Sequence, residues 1–213
     1  NAIYFNAAWA SQFEESLTAN GPFYPPAGGP LTLPMMHQTE QFAYSAGKGY
    51  QALELPYDGR ELSMLILLPE SGEFEPFEQS LTAERLKGIL SDLARRRVAL
   101  TMPKFEFESS FELASTLAAL GMPFAFCDKA DFSGMDGGRT LHISDVIHKA
   151  FAAVDEAGTE AAAATAVIMA VRAMPIYEEP IQFTVDRPFI FLIRDIATST
   201  ILFFGRVAHP IGS

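Results

Sequence analysis

Residues 155–166 read DEAGTEAAAATA, and this stretch differs from the sequence on both sides of it. Upstream, HKAFAAVD alternates as a β-strand does, whereas VIMAVRAMP downstream is apolar up to Arg172. Taken alone, four consecutive alanines favour a helix. Gly158, and the lack of a C-cap residue before the apolar run, favour a second interpretation. In this second interpretation, the small side chains let the segment slide as a strand between two existing strands.

The composition indicates a folded, acidic chain. Its 213 residues suit a single domain or a piece of one, and the hydrophobic fraction of 49% suffices for a core. The net charge of −11 disfavours nucleic acid and anionic membranes as partners. The apolar run at 161–171 is too short to span a membrane. The start, NAIYFNAAW, lacks the features of a signal peptide and is typical of the middle of a strand.

The pattern along the chain predicts an α+β fold with mixed sheets, because strands outnumber helices and the two types do not alternate. A first helix follows the N-cap Thr82 and ends at the basic triplet 95–97, and a second spans 111–120 between Ser110 as cap and Gly121 as stop. The predicted strands lie at 2–9, around 35–36, and at 41–44, 62–68, 104–108, 146–154, 189–194 and 200–207.

No catalytic or metal-binding motif is present in the sequence. There is no Gly-x-Ser-x-Gly motif, and no two histidines stand four residues apart. The one cysteine, Cys127, excludes an internal disulfide and a multi-thiolate metal site. Structural imidazoles are the favoured interpretation of the four histidines, which are His37, His142, His148 and His209. We therefore expect no enzyme activity, no catalytic residue, no metal and no cofactor.

The quoted stretch resembles the hinge of an inhibitory serpin reactive-centre loop, and the resemblance extends along the chain in one order. The other matching segments are NAIYFNAAW (1–9), LPMM (33–36), MPKFEFE (102–108), LGM (120–122), ADFSGM (130–135), LHISDVIHKAF (141–151), DRPFIFLI (186–193) and FFGRVAHP (203–210). The resemblance is to the C-terminal part of a prokaryotic serpin, somewhat more than half of one domain. It implies that the first helices and the first strands of the central sheet lie outside these 213 residues.

The resemblance implies a fold and a mechanism. The chain is expected to form the C-terminal portion of the serpin fold, with antiparallel and mixed sheets, few helices and an exposed reactive-centre loop at about 156–180. A target serine protease would cut the loop and form an acyl-enzyme. The freed loop would then insert as a new strand into the central sheet, which makes the uncleaved protein metastable. An extracellular or secreted protein is expected on the same basis.

Several residues take roles from this resemblance. Asn1 and His148 are expected to hydrogen-bond where the sheet opens, and Trp9, Lys104 and Glu156 lie where the loop joins it. For Asn1 and His148 the alternative is an ordinary buried polar pair. For Trp9 the alternative is plain packing in the core. The hinge and inserting segment consists of Glu156, Gly158, Thr159, Glu160, Ala161, Ala162, Ala163, Ala164 and Thr165.

The spacing of inhibitory loops, counted from Glu156, places the scissile bond between Arg172 and Ala173. Arg172 is the only charged residue between Glu160 and Glu178, and an exposed arginine suits the acidic pocket of a trypsin-like protease. A solvated loop charge is the alternative. The segment after the bond is long compared with that of many serpins, so cleavage after Val171 or Met169 is also considered.

Three functions therefore compete. The favoured one is inhibition of a trypsin-like serine protease by the suicide-substrate mechanism. The second is a non-inhibitory serpin, which the alanines disfavour because hinges of such members carry bulky, charged or proline residues. The third is an inactive truncated fragment, because insertion requires both neighbouring strands and their support.

Overall fold

The computed structural model describes residues 1–159 and 179–210, which contain thirteen strands, four α-helices and two short 3-10 helices. The strands are β1 (Ala2–Tyr4), β2 (Ala7–Ala8), β3 (Ala19–Phe23), β4 (Leu31–Gly47), β5 (Tyr50–Pro56), β6 (Leu62–Pro69), β7 (Ala94–Pro103), β8 (Phe105–Glu112), β9 (Ile147–Val154), β10 (Gly158–Thr159), β11 (Ile181–Thr184), β12 (Phe189–Asp195) and β13 (Ile201–Val207). The α-helices are α1 (Phe74–Gln79), α2 (Ala83–Ser91), α3 (Ala114–Ala119) and α4 (Ser133–Asp136), and the 3-10 helices are Glu15–Leu17 and Pro123–Phe126.

The chain divides into two compact units. The first consists of Asn1–Phe5 and Phe107–Ala152, and the second of Asn6–Glu106 together with the described residues from Ala153 onwards. The expected α+β class with mixed sheets is confirmed, because both parallel and antiparallel strand pairs occur. The single-domain organisation stays a prediction.

The first unit is built around β9. Strand β1 lies parallel to it, with Ala2 opposite Lys149 and Tyr4 opposite Phe151, and β8 also pairs with β9. The rings of Tyr4 and Phe151 stack with their centroids 6.1 Å apart. The predicted strand at 146–154 is thereby confirmed to within one residue.

The second unit contains an eight-stranded sheet in the order β11-β7-β4-β5-β6-β12-β13, with β3 added beside β4. Strand β4 is 17 residues long and pairs antiparallel with β3, β5 and β7. The prediction of two short strands around 35–36 and at 41–44 is therefore wrong. The three partner strands pair with successive parts of β4, and such long-range pairing leaves no signal in the local sequence pattern.

The core of this sheet is buried on both faces, as the continuous apolar run at 62–68 predicts. In β6 every residue from Ser63 to Pro69 is buried. On one face, Phe77 of α1 and Ile89 of α2 pack in a cluster with apolar side chains of β5, β6 and β12. Phe105 packs against Phe189 and Phe191, with ring centroids 5.4 and 5.7 Å apart. The predicted final strand pair at 189–194 and 200–207 is confirmed as β12 and β13.

The predicted helix boundaries are partly wrong. Thr82 does cap α2, since its Oγ1 accepts a hydrogen bond from the Arg85 backbone N–H at 3.2 Å. The helix ends at Ser91, however, and the basic triplet 95–97 lies in β7. The alternation of buried Val98, Leu100 and Met102 continues through β7, which has a neighbouring strand on each side. Sheet pairing outweighs local helix preference here.

The second predicted helix is also shorter than expected. Strand β8 continues to Glu112, so Ser110 is a strand residue and not a cap, and α3 begins only at Ala114. Gly121 follows the helix end with a φ of +113°, in the left-handed region that glycine adopts without strain. The predicted stop is therefore confirmed.

Candidate functional site

The opening stretch begins with a tight turn at 155–158. The Asp155 side chain organises it: Oδ1 accepts hydrogen bonds from the backbone N–H groups of Ala157 at 2.9 Å and Gly158 at 3.1 Å. The Asp155 N–H donates to the Gly158 carbonyl at 2.9 Å. An aspartate that bonds the backbone two residues onward is typical of such turns. The turn reverses the chain directly after β9.

Gly158 is required by a close approach of two backbones. It pairs with Ala8 in the antiparallel β10–β2 pair. A Cβ on residue 158 would collide with the carbonyl oxygen of Ala7 and would lie 2.6 Å from the Ala8 Cα. Only glycine fits here without displacing β2.

Thr159 lies between two strands. It pairs antiparallel with Ala7 on one side and with Val154 on the other, and it is 0% exposed. Its Oγ1 shares a hydrogen bond of 2.9 Å with the Tyr57 hydroxyl. Burial raises the pKa of the Tyr57 hydroxyl well above its usual value, although the hydrogen bond to Thr159 lowers it in part. Tyr57 therefore stays protonated and pairs with a small, neutral side chain.

Trp9 holds the turn in place. Its indole Nε1–H donates to the Asp155 carbonyl at 2.9 Å, and its backbone N–H donates to the Ala157 carbonyl at 2.9 Å. The Trp9 ring stacks on the Tyr57 ring with centroids 4.6 Å apart and planes 9° from parallel. Trp9 is 3% exposed. It is both a core residue and a direct support of residues 155–157.

Glu156 is the charged centre of the site. Its carboxylate accepts a hydrogen bond of 2.7 Å from the Thr18 hydroxyl and forms a 2.7 Å ion pair with the Lys104 ammonium. Its backbone carbonyl accepts the Phe13 N–H at 2.9 Å. Burial alone would raise the pKa of Glu156, but the bonds from Lys104 and Thr18 outweigh it and hold the pKa below its usual range.

Asn1 and His148 are brought together in the first unit. The Asn1 Nδ2 lies 3.3 Å from the His148 Nδ1, next to the parallel β1–β9 pair. The Asn1 carbonyl accepts the Lys149 N–H at 2.8 Å. The contact is exposed among the residues that the structure describes, and the role of the pair stays a prediction.

Five of the predicted site residues lie in one cluster within the second unit: Trp9, Lys104, Glu156, Gly158 and Thr159. The remaining predicted residues lie outside the described part of the chain: Glu160, Ala161, Ala162, Ala163, Ala164, Thr165, Arg172 and Ala173.

Sequence reasoning missed Tyr57 and Thr18. Tyr57 follows β5 and bonds a residue 102 positions away, and Thr18 bonds one 138 positions away. No local pattern signals either contact. The sequence motif around Tyr57, a tyrosine before a tight Asp-Gly turn, indicates only the end of a strand.

Comparison with known proteins identifies the family. The sequence profile described as "Serpin (serine protease inhibitor)" matches residues 1–210. The chain belongs to the serpin family. It is 48% identical over 210 residues to an uncharacterised serpin-like protein of Thermococcus kodakarensis, covering 99% of this chain and 49% of that protein. It is 43% identical over 224 residues to the leukocyte elastase inhibitor of Homo sapiens, covering 99% of this chain and 57% of the relative.

The serpin fold is also confirmed by a solved structure. A highly specific serpin of the insect Tenebrio molitor matches with a TM-score of 0.83 and 33% identity, over 98% of this chain and 54% of the insect chain. The chain thus spans about half the length of the serpins it matches. Within residues 1–159 and 179–210, no helix is long and apolar enough to cross a membrane, and no group of three metal-binding side chains occurs.

The Glu156 network generates a prediction about pH. Because the folded-state pKa of Glu156 is depressed, its contribution to stability is complete above its ordinary value of about 4.5 and is lost as pH falls below that value. We expect Glu156→Gln to lower the unfolding free energy at pH 7 by about 1–3 kcal/mol, since hydrogen bonds to charged groups contribute this much. The deficit should shrink as the pH is lowered towards 3. Urea denaturation of the full-length protein at several pH values measures it.

Glu106→Gln is the matched control for this experiment, because Glu106 is exposed on neighbouring β8. It should change the unfolding free energy little at any pH. A deficit in Glu156→Gln that is equally large at pH 7 and pH 3 would contradict a role for the Glu156 charge.

Proposed function

We propose that the full-length protein is a serine protease inhibitor that acts as a suicide substrate. Its target would be a trypsin-like enzyme, its loop would be cleaved between Arg172 and Ala173, and it would have no enzyme activity of its own. The observation that carries this proposal is the position of Thr159, fully buried between Ala7 and Val154. The first residue of the inserting segment is thus already paired on both sides.

The strand register supports insertion of the following residues. Antiparallel strands pair residues in opposite order, so each step forward from Thr159 moves one step back along both neighbouring segments. Counting in this way places Ala162 opposite Tyr4 and Phe151, Ala163 opposite Ile3 and Ala150, and Ala164 opposite Ala2 and Lys149. These are the three residue pairs that β1 and β9 form directly with each other. In the proposed mechanism the alanines replace that direct pairing.

The next step of the register reaches the exposed polar pair. Thr165 falls opposite Asn1 and His148, whose side chains share the 3.3 Å contact. Insertion would separate these two side chains, and the hydroxyl of Thr165 would supply a new partner for each. The small and neutral side chains from Ala161 to Thr165 support the same conclusion, because bulky ones would overpack the sheet and charged ones would be buried unpaired.

The choice of target rests on Arg172. A guanidinium on an exposed loop is recognised by a buried carboxylate in the pocket of trypsin-like enzymes. The comparison with leukocyte elastase inhibitors supports a serine protease as the target class. An extracellular site of action follows from the family resemblance and is part of the proposal.

A non-inhibitory serpin and an inactive fragment are the competing functions. A non-inhibitory serpin predicts that the loop is cleaved but the protease is not trapped. An inactive fragment predicts that the 213-residue chain does not inhibit the protease while the full-length protein does, because insertion needs support for both neighbouring strands. Testing the full-length protein and the 213-residue chain side by side distinguishes the three functions.

We expect the full-length protein to form a covalent complex with trypsin that survives denaturing electrophoresis. The acyl-enzyme should be trapped because insertion competes with deacylation. Mass spectrometry of the released C-terminal peptide should show Ala173 as its first residue. A peptide starting at Arg172 or Ala170 would instead place the cut after Val171 or Met169. Complete cleavage without any complex would contradict inhibition.

We expect Thr159→Arg to abolish complex formation while cleavage after Arg172 continues. The site of Thr159 is fully buried beside the Tyr57 hydroxyl, and an unpaired guanidinium there should cost about 3–5 kcal/mol. Insertion should then be slower than deacylation, so the stoichiometry of inhibition should rise steeply. The measurement is titration of trypsin activity with each variant.

Thr159→Ser is the matched control, because it keeps the hydroxyl that bonds Tyr57 and adds no volume. It should inhibit as the unmodified protein does. Unchanged inhibition by Thr159→Arg would show that trapping does not depend on a small, neutral side chain at residue 159.

A further inference from the structure

The direct pairing of β1 with β9 in the first unit contains one contact between two aromatic side chains. The parallel register sets Ala2 opposite Lys149, Ile3 opposite Ala150 and Tyr4 opposite Phe151. Only in the last of these three pairs are both side chains aromatic. The two rings stack with their centroids 6.1 Å apart and their planes 5° from parallel. A ring pair of this kind is stronger than the burial of its area alone provides, so the Tyr4–Phe151 stack helps to hold β1 against β9.

The Tyr4–Phe151 stack can exist only while β1 and β9 are neighbours. Adjacent strands lie about 4.8 Å apart, so a strand placed between β1 and β9 would separate them by about 9.6 Å. Aromatic pairs interact at centroid distances of about 4.5–7 Å. By the register counted from Thr159, Ala162 would lie between the two rings, and its methyl group would not replace the contact between them. Insertion would therefore remove the stack.

The stack lies on the more open face of the β1–β9 pair. Tyr4 is 59% exposed among the described residues, and Phe151 is half-buried. Side chains alternate along β9, and Ala150 and Ala152 on its other face are buried. A smaller side chain at Tyr4 therefore weakens the contact with Phe151 without opening a cavity among the buried residues of β9.

We propose that the Tyr4–Phe151 stack restrains the opening of the β1–β9 pair and thereby controls the rate at which the loop inserts. This role deepens the proposed function, on which its consequence for protease trapping rests. The stack is present before cleavage and lost on insertion, so it stabilises only the uncleaved form. Weakening the stack should therefore speed insertion, whereas Thr159→Arg should slow it.

Hydrogen–deuterium exchange of the uncleaved full-length protein tests the restraint without any protease. The reporter is the β9 peptide that contains the Lys149 amide, which donates to the Asn1 carbonyl at 2.8 Å. In Tyr4→Leu and in Phe151→Leu this peptide should exchange about two- to tenfold faster, because an aromatic pair changes an equilibrium by that factor. The double variant should exchange little faster than either single variant, since both substitutions remove the same stack.

Tyr4→Phe is the matched control, because it keeps the ring and removes only the hydroxyl. It should exchange as the unmodified protein does. The melting temperature before and after the loop is nicked near Arg172 separates this restraint from ordinary packing. Tyr4→Leu should lower the melting temperature of the uncleaved protein and leave that of the nicked protein unchanged. A contact that only supported the fold would lower both.

Trypsin trapping connects the restraint with the proposed function. The stoichiometry of inhibition of Tyr4→Leu should be equal to or lower than that of the unmodified protein, because faster insertion leaves less time for deacylation, and a higher value would contradict the proposal. If the unmodified protein is cleaved without forming a complex, the proposed function fails, and the exchange rates still decide whether the stack restrains opening.

Two further results would overturn the proposal. The first is exchange in Tyr4→Leu that is no faster than in Tyr4→Phe. The second, where nicking stabilises the unmodified protein, is an equal loss of melting temperature in the uncleaved and nicked forms of Tyr4→Leu. Far-ultraviolet circular dichroism verifies the folding of each variant, and either single variant carries the test if the other one does not fold.

Discussion

The double pairing of Thr159, with Ala7 on one side and Val154 on the other, is the constraint on which the other features of the site depend. Gly158 must lack a side chain because the backbone of β2 is in contact with it. Trp9 and Asp155 fix the turn that delivers Thr159 to this position. The Tyr57 hydroxyl shares a hydrogen bond with the small, neutral side chain of Thr159. A third strand, β10, thus begins between β2 and β9. A few residues further along, β1 pairs directly with β9.

The charged contacts of Glu156 hold the turn at 155–158. Lys104 and Thr18 bind the Glu156 carboxylate, and the depressed pKa of Glu156 keeps it ionised at neutral pH. The carboxylate is therefore paired in the uncleaved protein. From Ala161 to Thr165 the proposed inserting segment is made of alanine and threonine, which would add hydrogen bonds to the sheet without adding bulk.

The grouping of Gly158 with Trp9, Lys104 and Glu156 could be predicted from the sequence, because their signals are local or belong to long matching motifs. Gly158 precedes a run of small residues, and Trp9, Lys104 and Glu156 lie in segments that resemble serpins. Tyr57 and Thr18 could not be predicted, since each acts through one hydrogen bond to a distant residue. The local pattern predicts that the basic triplet ends a helix, whereas its pairing with β4 makes it part of β7.

The most direct test of loop insertion is the melting temperature of the full-length protein before and after its loop is nicked near Arg172. Calorimetry on both samples, with the cut located by N-terminal sequencing, gives the comparison. Each new strand hydrogen bond contributes about 0.5–1.5 kcal/mol net, so a dozen residues should raise the melting temperature by about 10 °C or more. Cuts in ordinary loops are neutral or destabilising. An equal or lower melting temperature in the nicked protein would contradict insertion of the loop into the sheet.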